Sequence, residues 1–396
     1  MLRVAIVGCE KRTERHLRAL RRIPDRKIVA ACDGDISAAR KFAERFEIDD
    51  HFCDVREMLK RALPDVVHIV TPPQSHFEIA KLCLDAGVHV YVEQPFTVTA
   101  DEAEELIALA DDSELKVTTH HPHQFTLEML KLRRLKDDGF FGGKAVHLEC
   151  LWPCDLEDAD AGPIPGSRAH WVRQLPGKLL HRCIGHGIAR LAEFLADEVE
   201  VFASAHQSER LCHLGGEELL DELRVFIRDQ NDTTAYFTFS SQIKPSQNVL
   251  RILGPANSVT VDQSVGVLER HKLNVYRSRW SHLIPHFDHA LDHFQTAGQN
   301  IYNFIRGYSR SEFGFHELVA RFYHSILNEA APPIPYREIL LTARIMDEIF
   351  AQVYPQEEME HQGNGNGNGS ARNGELKLNG VRVLENEIRA HNGSAE

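Results

Sequence analysis

The chain has no C-x-x-C pair among its 8 cysteines, which removes the usual close spacing of zinc ribbons and thiol-redox sites. No window approaches 18 consecutive apolar residues, so no membrane-spanning helix is expected. A basic excess is missing too. Lys and Arg total 45 against 58 Asp and Glu, and the net charge of −13 argues against nucleic acid or an anionic membrane as the main partner, a local basic patch aside. No internal repeat is present. The opening MLRVAIVGCEKR has an apolar stretch too short for a secretory h-region and runs directly into charged sequence. These absences lead us to expect a cytoplasmic globular protein that handles a small-molecule substrate.

At 396 residues, 43% of them hydrophobic and 26% charged, the chain is long enough for two packed domains. Cys9, Cys32, Cys53, Cys83, Cys150, Cys154, Cys183 and Cys212 mostly lie in apolar runs and read as reduced, buried thiols. Cys150 and Cys154 have a spacing that suits two metal ligands only if histidines converge there.

Leu2–Val7 reads as a strand, 11–22 as a helix and Lys27–Cys32 as a second strand ending at Asp33. Helices at 37–46, 54–62, 76–86 and 101–112 alternate with strands Val66–Val70, Val88–Val92 and Lys116–Thr119. Such alternation implies a doubly wound parallel sheet with helices on both faces. Beyond a helix near 126–138 and the turn FFGG at 140–143, strands follow one another at Ala145–Leu151, Leu223–Arg228, Thr234–Ser240, Asn248–Leu253 and Ser258–Asp262. That succession predicts a second α/β domain on a mostly antiparallel sheet, closed by helices over 313–330 and 336–353. The expected division is 1–120 and 121–355, followed by a flexible tail over 356–396. LKLNGVRVL at 376–384 carries a hairpin signal around Asn379-Gly380, though a chance alternation in a disordered tail reads equally well.

The first strand runs into VGCEKRTERHL, where a dinucleotide fold places its phosphate-binding turn. Only the first glycine of G-x-G-x-x-G is present, as Gly8. The other two positions fall on Glu10 and Thr13, adding a side chain and a negative charge where phosphate oxygens approach. Lys11 and Arg12 offer partial compensation. Asp33, about 20 residues past the turn, stands where an acid bonds the ribose hydroxyls of NAD and repels the extra phosphate of NADP; a turn or N-cap aspartate is the other reading.

VAIVGC with HLRAL, VAACDGD, PDVVHIVTPPQSHFEIAKLCLDAGVHVYVEQPFTVTADEAEEL and the downstream GKLLHRCIGHGIARL together resemble the Gfo/Idh/MocA oxidoreductases, the glucose-fructose oxidoreductase and inositol dehydrogenase group. The resemblance covers roughly 1–353, and 65–106 is its specific part. It implies an N-terminal Rossmann domain and a C-terminal α/β domain whose sheet walls the substrate and often forms a homo-oligomer face. It also implies an NAD or NADP cofactor, with NAD favoured by Asp33. In the family's E-K-P motif the lysine contacts substrate and nicotinamide; here the motif is Glu93-Gln94-Pro95, and Gln94 can donate a hydrogen bond but supplies no positive charge.

The family's D-x-x-x-H motif corresponds to Arg182 and His186, one helical turn apart. His186 keeps the acid/base position, because imidazole titrates near neutrality. Arg182 would depress the histidine's pKa and clamp a carboxylate or phosphate, or would simply pair with a neighbouring acid. Thr71, Pro72 and His76 match the turn that packs beside the cofactor. His123 and Trp171 fall near the substrate position, with packing the other reading for Trp171. His120, His121 and His123 invite a metal, but residues around Pro122 point in different directions, so none is expected. His282, His286, His289 and His293 recur at helical spacing beside Asp288 and Asp292, as on a solvated face or an oligomer contact.

Two readings remain. One is a Gfo/Idh/MocA-like oxidoreductase acting on a sugar-like or anionic polyol-type substrate. The other is a fold-retaining relative that has lost hydride transfer and serves as a non-redox enzyme or a binding protein.

Overall fold

The fold is that of a computed structural model, which describes residues 1–156, 170–216, 218–273, 284–305 and 310–355. Met1–Pro355 form one compact unit. The tail, the hairpin expected at 376–384, His282 and the side chain of His289 lie outside the described residues.

Strands and helices alternate from the start. They are β1 (Leu2–Val7), α1 (Thr13–Leu20), β2 (Arg26–Cys32), α2 (Ile36–Phe46), β3 (Asp50–Phe52), α3 (Val55–Ala62), β4 (Val66–Ile69), α4 (His76–Asp85), β5 (His89–Val92), α5 (Ala100–Asp112) and β6 (Val117–Thr119). The six strands pair in parallel in the order β3-β2-β1-β4-β5-β6. Both faces are covered, so the central strands read as unbroken apolar runs. Asp35, Asp54 and Thr99 start α2, α3 and α5 by accepting from the backbone N–H of Ser37, Glu57 and Glu102. Gly8 ends β1 at φ +98°, where an added Cβ would stand 2.5 Å from the Val70 carbonyl oxygen. The first glycine is therefore required by backbone packing alone.

The second part contains α6 (Leu127–Asp137), β7 (His147–Pro153), α7 (Lys178–Cys183), α8 (Gly185–Ala192), β8 (Val199–His206), α9 (Glu209–His213), β9 (Glu222–Asp229), β10 (Thr234–Ser240), β11 (Val249–Leu253), β12 (Ser258–Asp262) and β13 (Val267–His271). Helices α10 (Ile284–Ile305), α11 (Arg310–Leu327) and α12 (Tyr336–Val353) follow. Its seven strands run in the order β13-β12-β11-β7-β10-β9-β8, antiparallel except for the β7–β10 pair. The expected fold class, a doubly wound parallel sheet followed by a mostly antiparallel one, therefore holds. The sequence reading missed β3, β8, β13 and α9; half of β8 is exposed and Val201 is its one buried residue, which leaves little apolar alternation to detect. On α10, His286 is exposed, His293 Nε2 lies 3.1 Å from Glu269, and the buried Asp292 pairs with Arg270.

Helix α12 joins the two sheets. Tyr336 Oη accepts from Val117 N–H at 3.2 Å, Asp347 accepts from Ala100 N–H at 2.7 Å, and Gln352 donates to the Val201 carbonyl at 2.9 Å. At its first turn, Glu338 accepts from the buried Gln124 amide at 3.3 Å. Burial, followed by the nearby Glu193, pushes the Glu338 carboxyl up to about 7.

A carboxyl with a raised folded pKa holds its proton more tightly than in the unfolded chain. Its stabilising contribution is complete below the ordinary value of 4.5 and is lost as pH rises through about 7. Glu338→Gln is expected to match the parent at pH 5 and to exceed it at pH 8 by about 1–3 kcal/mol. Urea unfolding at the two pH values checks this, and equal stability at pH 8 contradicts it.

Candidate functional site

The strand order reverses between β1 and β4, where diverging loops open a crevice at the carboxyl ends of a parallel sheet. Around that edge lie the turn Gly8–Arg12 after β1, Asp33 after β2, Thr71–Ser75 after β4, Glu93–Pro95 after β5 and His120–His123 after β6. Glu10, Lys11 and Arg12 are exposed. Thr13, at the third glycine position, is buried and donates from Oγ1 to the Gly8 carbonyl at 2.8 Å. Asp33 accepts from Cys9 N–H at 2.8 Å and from Asp35 N–H at 3.0 Å, so its carboxylate holds the phosphate turn as well as its own loop.

The β4 turn is tied down at several points. Ser75 Oγ donates to Thr71 Oγ1 at 2.7 Å, and Gln74 donates to the Trp171 carbonyl at 2.8 Å, linking the turn to the second part of the molecule. His76 is buried, with one ring nitrogen 2.8 Å from the Pro95 carbonyl and the other 2.8 Å from that of Thr71. Burial pushes its pKa down, against the pull of the two carbonyls. Trp171 is partly buried and stacks on His170 at 5.5 Å between centroids.

Glu93 sits at the centre of a chain of rings. His16 Nε2 is 2.9 Å from Glu93 Oε1, His16 Nδ1 is 3.1 Å from His68 Nδ1, and His68 Nε2 is 3.1 Å from Tyr323 Oη. On the other side, His120 Nε2 is 3.8 Å from Glu93 Oε1, and its Nδ1 is 2.8 Å from Tyr91 Oη. Burial alone would raise the Glu93 carboxyl, but His120, His16 and the Gln94 N–H hold it well below the carboxylate range. Burial keeps His68 and His120 neutral, His120 at about 3. The sequence reading missed His16 and His68. Their signal was positional: His16 lies on the buried Thr13, Leu17, Leu20 face of α1, and His68 interrupts the apolar run of a fully buried strand.

Gln94 donates to the His181 carbonyl at 3.4 Å and packs so closely on Gly185 that a Cβ there would collide with its amide. A second imidazole group lies alongside. His121 Nδ1 and His186 Nδ1 are 3.1 Å apart, and the His123 ring lies 5.3 Å from His186 and edge-on to Trp152 at 4.9 Å. Burial, then His121 and His123, drives the His186 pKa well below neutrality. The three histidines around Pro122 thus turn to different neighbours: His120 to Tyr91, His121 to His186, and His123 to the Gln263 side chain at 3.3 Å.

Arg182 and His186 do not share a helix. Arg182 is in α7, His186 is in α8, and Ile184 separates the two. The expected effect of Arg182 on the His186 pKa is accordingly absent from the causes of that shift. Arg182 acts instead on His170 and Cys183, whose thiol is pulled down first by a hydrogen bond with Cys154 and further by Arg182. Cys150 is turned away, its thiol on the Gly187 carbonyl, so it forms no ligand pair with Cys154.

Residues 2–121 match the family model of the Gfo/Idh/MocA oxidoreductases, described as an oxidoreductase family with an NAD-binding Rossmann fold. The N-terminal part of the chain is therefore similar to the Gfo/Idh/MocA oxidoreductases. Over 142 residues it is 31% identical to D-glucoside 3-dehydrogenase of Escherichia coli (strain K12), a match covering 36% of this chain and 40% of that protein. Over 110 residues it is 34% identical to the NADP(+)-dependent scyllo-inositol 2-dehydrogenase of Bacillus subtilis (strain 168), covering 28% of this chain and 34% of that one. The chain thus matches less than half the length of either relative. The fold likeness extends further. An oxidoreductase from Agrobacterium radiobacter, solved with NAD+, L-tartaric acid and magnesium, superposes with a TM-score of 0.69 over 90% of this chain and 97% of its own, at 13% identity.

Burial sets the acid tolerance of the buried imidazoles. It lowers His123 and His181 to about 4 each. A histidine with a depressed folded pKa contributes stability that is fully present above its ordinary value of 6.5 and lost as pH falls through about 4. Each ring accounts for about 3 kcal/mol at the acid limit. Urea unfolding is expected to show stability falling steadily between pH 6.5 and 4, with His181→Gln flattening part of the slope. A level profile over that range contradicts this account.

Proposed function

We propose that the chain is an NAD(P)-dependent oxidoreductase of the cytoplasm acting on a sugar-like or anionic polyol-type substrate, with NAD favoured by Asp33. The observation that carries the reading is that the Gly8 turn, Asp33, the Thr71–His76 turn and Gln94 all edge the crevice where the strand order reverses. These residues fit a dinucleotide. The Gly8 turn keeps its positive φ; the Asp33 carboxylate would hold the ribose hydroxyls, Thr71 and Pro72 would flank the bound group, and Lys11 and Arg12 would offset the Glu10 charge at the pyrophosphate. When bound, the nicotinamide supplies hydride transfer.

The chain's own residues supply the rest. His186 would take the hydroxyl proton as an alcohol becomes a carbonyl; burial and the neighbouring His121 and His123 push its pKa down, so bound substrate would have to offset that depression. Gln94 donates a hydrogen bond where the family carries lysine. Arg182, which acts on His170 next to Trp171, would select a substrate bearing a carboxylate or phosphate, while His123 lies beside His186. The tartrate in the Agrobacterium radiobacter relative is an anionic polyol of this kind. A homo-oligomer through the second sheet accords with the exposed Phe202 and Tyr236 on its outer face, where Phe226 lies 6.2 Å from one ring and 5.5 Å from the other.

The second reading, a fold-retaining relative without hydride transfer, is favoured by Gln94 being engaged with His181 and by the Glu10 charge at the phosphate turn.

Titration with NADH and NADPH separates the two readings. The oxidoreductase reading expects NADH to bind at about 1 μM and NADPH more weakly, with Glu10→Gly tightening both. His186→Gln should bind NADH unchanged and lose turnover of anionic polyols by about 100-fold or more. If neither nucleotide binds and Glu10→Gly restores binding, the redox reading fails and the second one stands.

A further inference from the structure

Glu93 is a half-buried carboxylate with no lysine or arginine among its ion-pair partners in the described residues; those partners are His16 and His120. An ionised carboxylate away from water is costly unless a positive charge compensates it. The residue next to it, where the family has lysine, is Gln94, which carries no charge. His16, Glu93 and His120 each point one donor atom at a common spot, all within 4.8 Å of one another.

We propose that His16 Nε2, the Glu93 carboxylate and His120 Nε2 bind a divalent transition-metal ion of the zinc or ferrous class. Two imidazoles and one carboxylate select such ions over magnesium or calcium, which prefer oxygen donors throughout. Bonds of about 2.0–2.2 Å to a single ion place its donor atoms about 3.0–3.5 Å apart. The 2.9 Å His16–Glu93 and 3.8 Å His120–Glu93 separations bracket that range, so small side-chain rotations complete the set.

The residues behind the ligands support the assignment independently. A histidine that binds through Nε2 must carry its proton on Nδ1 and hand it to an acceptor. His120 Nδ1 has Tyr91 Oη at 2.8 Å. His16 Nδ1 has His68 Nδ1 at 3.1 Å, and His68 Nε2 in turn has Tyr323 Oη at 3.1 Å. Every proton in the ion-bound arrangement thus has a partner. Without an ion the His16 branch runs the opposite way: Tyr323 donates to His68, His68 to His16, and His16 to Glu93. Binding reverses the polarity of a buried relay, and Tyr323 becomes its terminal acceptor. Side-chain exposure rises from 1% at His16 and 8% at His120 to 17% at Glu93, so the open coordination positions lie on the Glu93 side.

The test uses the full chain without nucleotide, so its outcome is separate from that of the redox reading. After chelator treatment, cobalt(II) is titrated in and followed by visible d–d absorption and by thermal unfolding. One equivalent is expected to bind, with d–d bands of a nitrogen- and oxygen-ligated site and a raised Tm. Glu93→Gln and His120→Gln, shown folded by circular dichroism, should weaken binding by about 100-fold or more, and Tyr323→Phe by about 10-fold. His186→Gln should bind as the parent does. If the ligand variants do not fold, zinc protection of His16 and His120 in the parent from diethylpyrocarbonate takes their place. Absence of cobalt uptake overturns the proposal. So does uptake that survives the ligand substitutions, or a lack of protection at both histidines.

Discussion

The structure around the crevice depends on one constraint, the need to keep the Glu93 carboxylate ionised at the buried end of β5. Such a charge persists only where hydrogen-bond donors are aimed at it. The Gln94 N–H and the His16 ring meet its two oxygens, and His120 approaches from the third side. The demand propagates outward: His16 is fixed by His68, His68 by Tyr323 and by stacking on Tyr91 at 4.6 Å, and His120 by Tyr91. Helix α1, strands β4 and β5, the turns after β5 and β6, and α11 thereby contribute polar side chains to a core that is otherwise apolar.

Much of the architecture was legible in the chain because parallel strands covered on both faces leave continuous apolar runs, as at Val4–Val7 and Val66–Ile69. Strands of the second sheet with one buried face also alternated clearly, as in β9 and β10. What escaped was marginal in the physical sense. Strand β3 has only three residues, and β8 buries little of its length, so neither leaves a pattern beyond the noise of local composition.

The site was legible only in part. Position in a motif identifies Asp33, Glu93, Gln94 and His186, but not which neighbour each side chain engages. Arg182 and His186 share helical spacing in sequence, yet a bend at Ile184 sends one toward Cys183 and leaves the other among histidines. The histidine relay joins residues 16, 68, 93, 120 and 323. Separations of that size lie beyond any local pattern, and only the sheet order brings them together.

Asp33 has a consequence for any attempt to redesign coenzyme choice. Its carboxylate, which on the proposed reading would discriminate at the ribose, already receives the N–H of Cys9 in the turn after β1. A residue that welcomed a 2′-phosphate at position 33 would have to give up the negative charge, and with it the acceptor that holds the turn. Preference and loop order are thus vested in the same two oxygen atoms. Selection acting on one necessarily moves the other, so a change of coenzyme here needs a second substitution that restrains Cys9 by other means.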